Sequence, residues 1–145
     1  MSRIVVGIDG SDEARRALRL AIAEARLRGA ALEVVHVVPD AVMLANPVLI
    51  APPPEEKVHA FGREAIDRSL SEVDTEGLEV ERTVLRGQAA RGLCESARGA
   101  ELLVVGSRGL GGFKGLMAGS VTHQVVAHAP CPVLVVVPES RSNGS

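Results

Sequence analysis

Gly106-Ser107-Arg108-Gly109, nine further residues and then Gly119-Ser120 form the stretch of this chain best suited to chemistry. It follows an apolar run, Leu102 to Val105, and precedes an apolar-periodic segment, Val121 to Ala129, so the order is strand, glycine-rich loop, helix. Glycine lets a backbone approach a ligand closely and adopt positive φ. A helix start presents N–H groups without intrahelical partners at the positive end of a dipole. Together these make an anion site, with phosphate the expected anion and a nucleotide the expected ligand. The alternative is a plain connection in which Gly109, Gly111, Gly112 and Gly115 serve mobility. Arg108 and Lys114 are the cations inside the loop; they either offset phosphate charge or lie on the solvated surface.

The elements around this loop alternate. Arg3 to Ile8 reads as a buried strand with β-branched bulk on both faces. Asp9-Gly10-Ser11-Asp12 breaks it, with Ser11 the expected N-cap. Ala14, Ala17, Leu18, Ala21, Ile22 and Ala25 recur at helical spacing, and Gly29 suits the stop. Leu32 to Val38 is a second strand, closed by Pro39. Residues 39–54 form a long Pro-rich connection of the kind that is usually functional or mobile. Pro52-Pro53-Pro54 leads into Glu55-Glu56 and a helix to about Val73. Leu78 to Leu85 alternates as an edge strand, and Arg86-Gly87-Gln88 turns the chain. A third helix carries Ala89, Ala90, Leu93, Cys94 and Ala97, ended by Gly99. Leu102 to Val105, the glycine loop, a fourth helix, Pro130-Cys131-Pro132 and the strand Val133 to Val137 complete the order βαβαβαβαβ.

Such alternation builds a mostly parallel sheet with helices on both faces. Ligands sit at the carboxyl ends of its strands, where strand order reverses. With a flavodoxin-like order the first, third or fourth strands flank that crevice. Asp9 ends the first strand and Gly106 the fourth, so the two candidate groups meet at one place. Asp9 taken alone is a turn or capping aspartate; with the glycine loop opposite, it is a ligand residue.

Composition narrows the function. The chain has 145 residues, 46% of them apolar, enough for one domain with a real core. A net charge of −2 gives no long-range attraction to nucleic acid or anionic membrane. Phe61 and Phe113 are the only aromatics, too few for base-stacking platforms. The apolar runs are too short to span a membrane. The N-terminus runs straight into a strand without a signal-peptide core, so a cytoplasmic location is expected. Cys94 and Cys131 lack metal spacing and are expected to be buried and reduced. His36 is expected to be packed in its strand. His123 and His128, five apart, fall on different helix faces, so no protein metal site is assigned. Residues 139–145 are expected to form a disordered polar tail beyond a domain of residues 1–138.

Gly106-x2-Gly109-x9-Gly119-Ser120 resembles the nucleotide-binding signature of the universal stress protein family, in its ATP-binding branch. Val5-Val6-Gly7-Ile8-Asp9-Gly10-Ser11, Val35-His36-Val37-Val38, Gly119-Ser120-Val121-Thr122 and Ala129-Pro130-Cys131-Pro132-Val133-Leu134-Val135-Val136 resemble its other segments in the expected order, over about residues 3 to 138. Glu101 departs from the aspartate more usual before the fourth strand, at the end of that strand away from the site. The resemblance implies an α/β fold: an open five-stranded, mostly parallel sheet in order 3-2-1-4-5, adenine nucleotide alpha hydrolase-like. It implies that Gly7, Ile8 and Asp9 line the adenine and ribose end and that Val37 meets the base through its backbone. Gly106, Arg108 and Gly109 would follow the ribose and phosphates, and Gly119, Ser120, Val121 and Thr122 would hold phosphates at the helix start. Ser120 is also expected to cap that helix.

The expected function is an ATP-binding stress-response regulator that senses or buffers a nucleotide, with Mg2+ brought by the triphosphate, and passes its state to protein partners. The strand Val133 to Val137 is apolar on both faces and expected at a sheet edge, which a second copy of the chain would cover; the resemblance implies the same homodimer. Hydrolysis is expected to be slow at most, because the loop lacks a Gly-x4-Gly-Lys-[Ser/Thr] lysine. The rivals are an enzyme using the same crevice and a nucleotide-independent interaction module.

Overall fold

The computed structural model describes residues 2–39, 53–107 and 119–138. The strands are β1 (Arg3–Gly7), β2 (Ala31–Val38), β3 (Val80–Arg86), β4 (Leu102–Gly106) and β5 (Val133–Val136). The helices are α1 (Asp12–Arg28), α2 (Glu55–Leu70), α3 (Ala89–Ser96) and α4 (Ser120–His128). All four strand pairings are parallel, in the order β3-β2-β1-β4-β5. The expected sheet is observed. Of the strands named as candidates to flank the crevice, β1 and β4 do so, while β3 is an outer edge.

Strand alternation sorts the core into two layers. Ile4, Val6, Leu32 and Val34 face α1 and α2, where Ala17, Leu18, Ala21 and Ile66 are buried against them. Val5, Val35, Leu103 and Val105 face the other way, against Ala90 and Leu93 of α3 and Val125 of α4. The alanine stripe of α1 is what brings that helix close to the sheet. Ser11 caps α1, its Oγ accepting from the Ala14 N–H at 3.1 Å. Gly29 ends α1 at φ 61°, a left-handed position that suits glycine.

Three element ends differ from the sequence pattern. The second helix stops at Leu70 rather than Val73, because Val73 N–H turns back to Leu70 O. The third strand starts at Val80 rather than Leu78, whose N–H closes a turn on Thr75 O. Val73 and Leu78 still pack against the core, so an apolar pattern counts them although their backbone is turned. The third helix ends at Ser96, before Gly99, which sits in the following turn at φ 76°.

A polar cluster closes the sheet at the end where its strands begin. Glu33, buried in β2, accepts from Arg3 Nε and from Thr83 Oγ1, each at 2.7 Å. Arg3 also donates to the carbonyls of Ser96, at the end of α3, and Arg98, just past it. The buried carboxylate is thus both paired and hydrogen-bonded, the condition for its being tolerated.

On the outer side, α2 packs on β3 through Gly62. A Cβ there would lie 2.4 Å from Val84 Cγ1, so the methyl of alanine has no room. Gly62→Ala is expected to destabilise the protein by about 1–3 kcal/mol in urea unfolding. Combining it with Val84→Ala should cost less than the two changes added. A Gly62→Ala protein as stable as the parent would contradict this packing.

Candidate functional site

The strand order turns around between β1 and β4. From β1 the chain winds outward through β2 to β3 with α1 and α2 on one face; it then returns to β4 and β5 with α3 and α4 on the other. Among the described residues a crevice remains at the carboxyl ends of β1 and β4.

A cavity of about 480 Å³ occupies that crevice. Gly7, Ile8 and Asp9 from the end of β1, Val37 from β2, Gly106 from the end of β4, and Val121 and Thr122 from α4 all line it. These are seven of the residues expected at a nucleotide site. Gly119 is buried beside the cavity and Ser120 is exposed; neither is on its wall. Arg108, Gly109, Lys114 and the rest of the loop at 108–118 lie outside the described residues, as do residues 40–52 of the long connection and the tail at 139–145.

Both strand-end glycines sit in close contacts. A Cβ on Gly7 would lie 2.8 Å from Leu93 Cδ2, so the glycine admits α3 onto β1. A Cβ on Gly106 would lie 3.0 Å from Glu13 Cβ and 3.2 Å from the Glu13 carbonyl carbon. Glycine here lets the first turn of α1 lie against the end of β4.

The start of α4 is tied to the same place. Gly119 N–H donates to Ser107 O at 2.7 Å, and Thr122 Oγ1 donates to Gly106 O at 2.7 Å. The expectation that Ser120 caps α4 is corrected: Gly119 is the N-cap, Ser120 is the first helical residue, and no side-chain cap bond is made. Because α4 begins one residue earlier than a Ser120 cap requires, Ser120 lies inside the first turn, where it is exposed. The first-turn N–H groups therefore have no side-chain acceptor at the cap. The hydroxyl proton of Thr122 is committed to a carbonyl, which leaves its backbone N–H and hydroxyl lone pairs for any ligand.

Asp9 combines the two roles weighed for it. Its Oδ1 accepts the Ser11 N–H at 2.9 Å, an Asx turn that sets up the start of α1. The same residue lines the cavity.

Several wall residues were not among those expected at the site. Val35, Val105, Ala90 and Leu93 make the apolar sides, and Gln88, Ala89 and Gln124 the polar or small ones. The signal for Gln88 and Ala89 was topological: Gly87-Gln88-Ala89 is another strand-to-helix turn, and in a parallel sheet all such turns share one end. Ser107 is a further residue passed over as a spacer. Its Oγ is buried and has no hydrogen-bond partner among the described residues, while its N–H donates to Val136 O and its C=O accepts from the Gly119 N–H.

The cysteines are not buried as expected but half-buried, and both are free. Burial pushes both thiols above their ordinary value, and Cys94 nearby pushes Cys131 further up. Neither is a thiolate nucleophile at neutral pH. His36 is packed as expected. Among the described residues, no group of three or more His, Cys, Asp or Glu side chains is arranged to hold a metal.

A family model described as the universal stress protein family matches residues 1–137. A universal stress protein of Thermus aquaticus is 36% identical over 144 residues, covering 92% of this chain and 96% of its own. A universal stress protein structure from Archaeoglobus fulgidus in complex with dAMP matches with a TM-score of 0.67 at 28% identity, over 94% of this chain and 98% of that one. A universal stress protein structure in complex with cAMP gives 0.66 at 29% identity, over 95% and 98% of the two chains.

The bond from Thr122 to Gly106 O anchors α4 at the cleft. Thr122→Val keeps the shape and removes the donor, leaving a carbonyl unpaired in a buried setting. Loss of about 1–3 kcal/mol is expected, read from chemical denaturation. An unchanged midpoint would show that the bond does not hold the helix.

Proposed function

The chain belongs to the universal stress protein family, and from that premise we propose that its crevice binds ATP. Adenine lies against Val37 and the apolar wall of Ala90 and Leu93, with the base meeting the Val37 backbone. Asp9, with Gly7 and Ile8, takes the ribose end. Gly106, with Arg108 and Gly109, follows the ribose and phosphates. Gly119, Ser120, Val121 and Thr122 hold phosphates through backbone N–H groups at the start of α4. The single observation that supports this most is convergence: the end of β1, the glycine end of β4 and the uncapped start of α4 frame one cavity. Its size, near 480 Å³, falls in the range usual for sites of small organic ligands, roughly 300–1,000 Å³.

The residues fit the nucleotide: apolar walls for a base, a carboxylate for sugar hydroxyls and, at the start of α4, N–H groups that no side chain caps among the described residues. The relatives solved with dAMP and with cAMP share the fold and support an adenine ligand. Mg2+ would arrive with the triphosphate and keep mostly phosphate and water oxygens as ligands.

The protein acts as a regulator whose state follows its nucleotide, with hydrolysis slow at most. Asp9, the cavity's carboxylate, is engaged in the α1 turn and assigned to the sugar, and the glycine loop lacks a Gly-x4-Gly-Lys-[Ser/Thr] lysine. It works as a homodimer joined through β5. That strand is a sheet edge, only Val136 in it is fully buried, and Val137 just beyond it is 58% exposed. An edge of this kind needs a cover. Among the described residues no helix is long and apolar enough to cross a membrane.

Mass spectrometry of the denatured, freshly purified protein should release an adenine nucleotide, and sedimentation should give the mass of a dimer. Added ATP at about a hundred times its Kd should raise unfolding stability by roughly 2.7 kcal/mol. Asp9→Asn keeps an acceptor for the Ser11 N–H and removes the charge; it should weaken ATP binding about tenfold. ATP, ADP, AMP, cyclic AMP and GTP all failing to stabilise the parent protein would overturn the proposal.

A further inference from the structure

Two side-chain amides line the crevice, Gln88 from the start of α3 and Gln124 from α4. The other polar side chains on its wall are engaged: Asp9 Oδ1 accepts the Ser11 N–H, and Thr122 Oγ1 donates to Gly106 O. Neither amide has a hydrogen-bond partner among the described residues. For Gln88 this is unusual, because it holds the N-cap of α3. A short Ser, Thr, Asp or Asn side chain at that position closes on the first-turn N–H groups. The glutamine makes no such bond, and it lies on the cavity wall.

The two amides stand at different parts of the crevice. Val37 of β2 is in register with Leu85 of β3, and the Gly87 N–H donates to Val38 O at 3.0 Å. Gln88 is the next residue. From there α3 runs directly over Val37: a Cβ on Gly92 would lie 3.0 Å from Val37 Cγ2. Gln88 is therefore the amide beside the place proposed for the base. Gln124 follows Val121 and Thr122, in the helix whose first turn is assigned to phosphate.

We propose that Gln88 is the residue that selects adenine over guanine, an inference that rests on the nucleotide reading of the crevice. One edge of adenine carries the N6 amino donor next to the N7 acceptor. A planar amide offers one acceptor and one donor at matching spacing. The Gln88 carbonyl accepts from N6–H, and its NH2 donates to N7. The amino group has two protons, so the other stays free for the Val37 backbone. Guanine presents two acceptors, O6 and N7, on the same edge. Whichever way the amide is turned, its oxygen then faces an acceptor with no proton between them. The side chain that fails to cap α3 thus has a use in reading the base.

The test is calorimetric titration of the full chain with ATP, GTP and 7-deaza-ATP, in which a C–H replaces N7. The parent should bind 7-deaza-ATP about tenfold more weakly than ATP, and GTP more weakly still. In Gln88→Ala the penalty for 7-deaza-ATP should vanish and the preference for ATP over GTP should narrow about tenfold. Gln124→Ala should keep both preferences. Gln88 is exposed and makes no cap bond, so its alanine variant should unfold in urea at the parent's midpoint when ligand-free. Equal binding of ATP and 7-deaza-ATP by the parent overturns the proposal. So does a penalty that survives in Gln88→Ala, or one that disappears in Gln124→Ala. ATP bound without regard to N7 removes this assignment alone, whereas a parent that binds no ATP removes the nucleotide reading and this assignment with it.

Discussion

Parallel pairing of β1 with β2 on one side and β4 on the other is the constraint from which the rest of the molecule follows. A strand buried on both faces must be apolar on both, and Ile4, Val5 and Val6 are. Once β1 is central, right-handed crossovers send the helices to opposite faces on its two sides. The helices part above the ends of β1 and β4, and the gap is the crevice. Function is thus attached to the one place where the winding changes direction, and the residues there are freed from packing against a crossing helix.

That freedom is bounded by close contacts at two glycines. Gly7 accommodates Leu93, and Gly106 accommodates the backbone of the first turn of α1. The two glycines bring α3 and α1 down on the strand ends and fix the width of the opening. The Thr122 and Gly119 bonds then hold α4 to the end of β4. The helix start that offers N–H groups is consequently anchored by the strand whose glycine lies beside it. At the opposite end of the sheet the Arg3–Glu33–Thr83 cluster ties β1, β2 and β3 together.

The fold was largely readable because its signals are local: β-branched strands, an alanine stripe in α1, Ser11 at the cap and Gly29 at the stop. Where the reading slipped, an apolar residue was buried by a turn, as at Val73 and Leu78. The heart of the site was readable for the same reason, since Asp9 and Gly106 end their strands. Ser120 was misread because a hydroxyl beside a helix start looks like a cap, whereas Gly119 already holds that position. Gln88, Ala89 and Leu93 were legible only as core or turn residues; their place on the cavity wall depends on where α3 lands. Glu33 and His36 look ordinary within their strands, and their partners are 28 to 50 positions away in the chain.

The central claim is that the two strand ends and the start of α4 grip one adenine nucleotide. The most direct measurement is an amide NMR titration of the protein with ATP. Ile8, Asp9 and Val37 on one side of the crevice, and Gly106, Val121 and Thr122 on the other, should shift together and saturate at one stoichiometric equivalent per chain. Shifts confined to one side, or found only away from the crevice, would contradict the account.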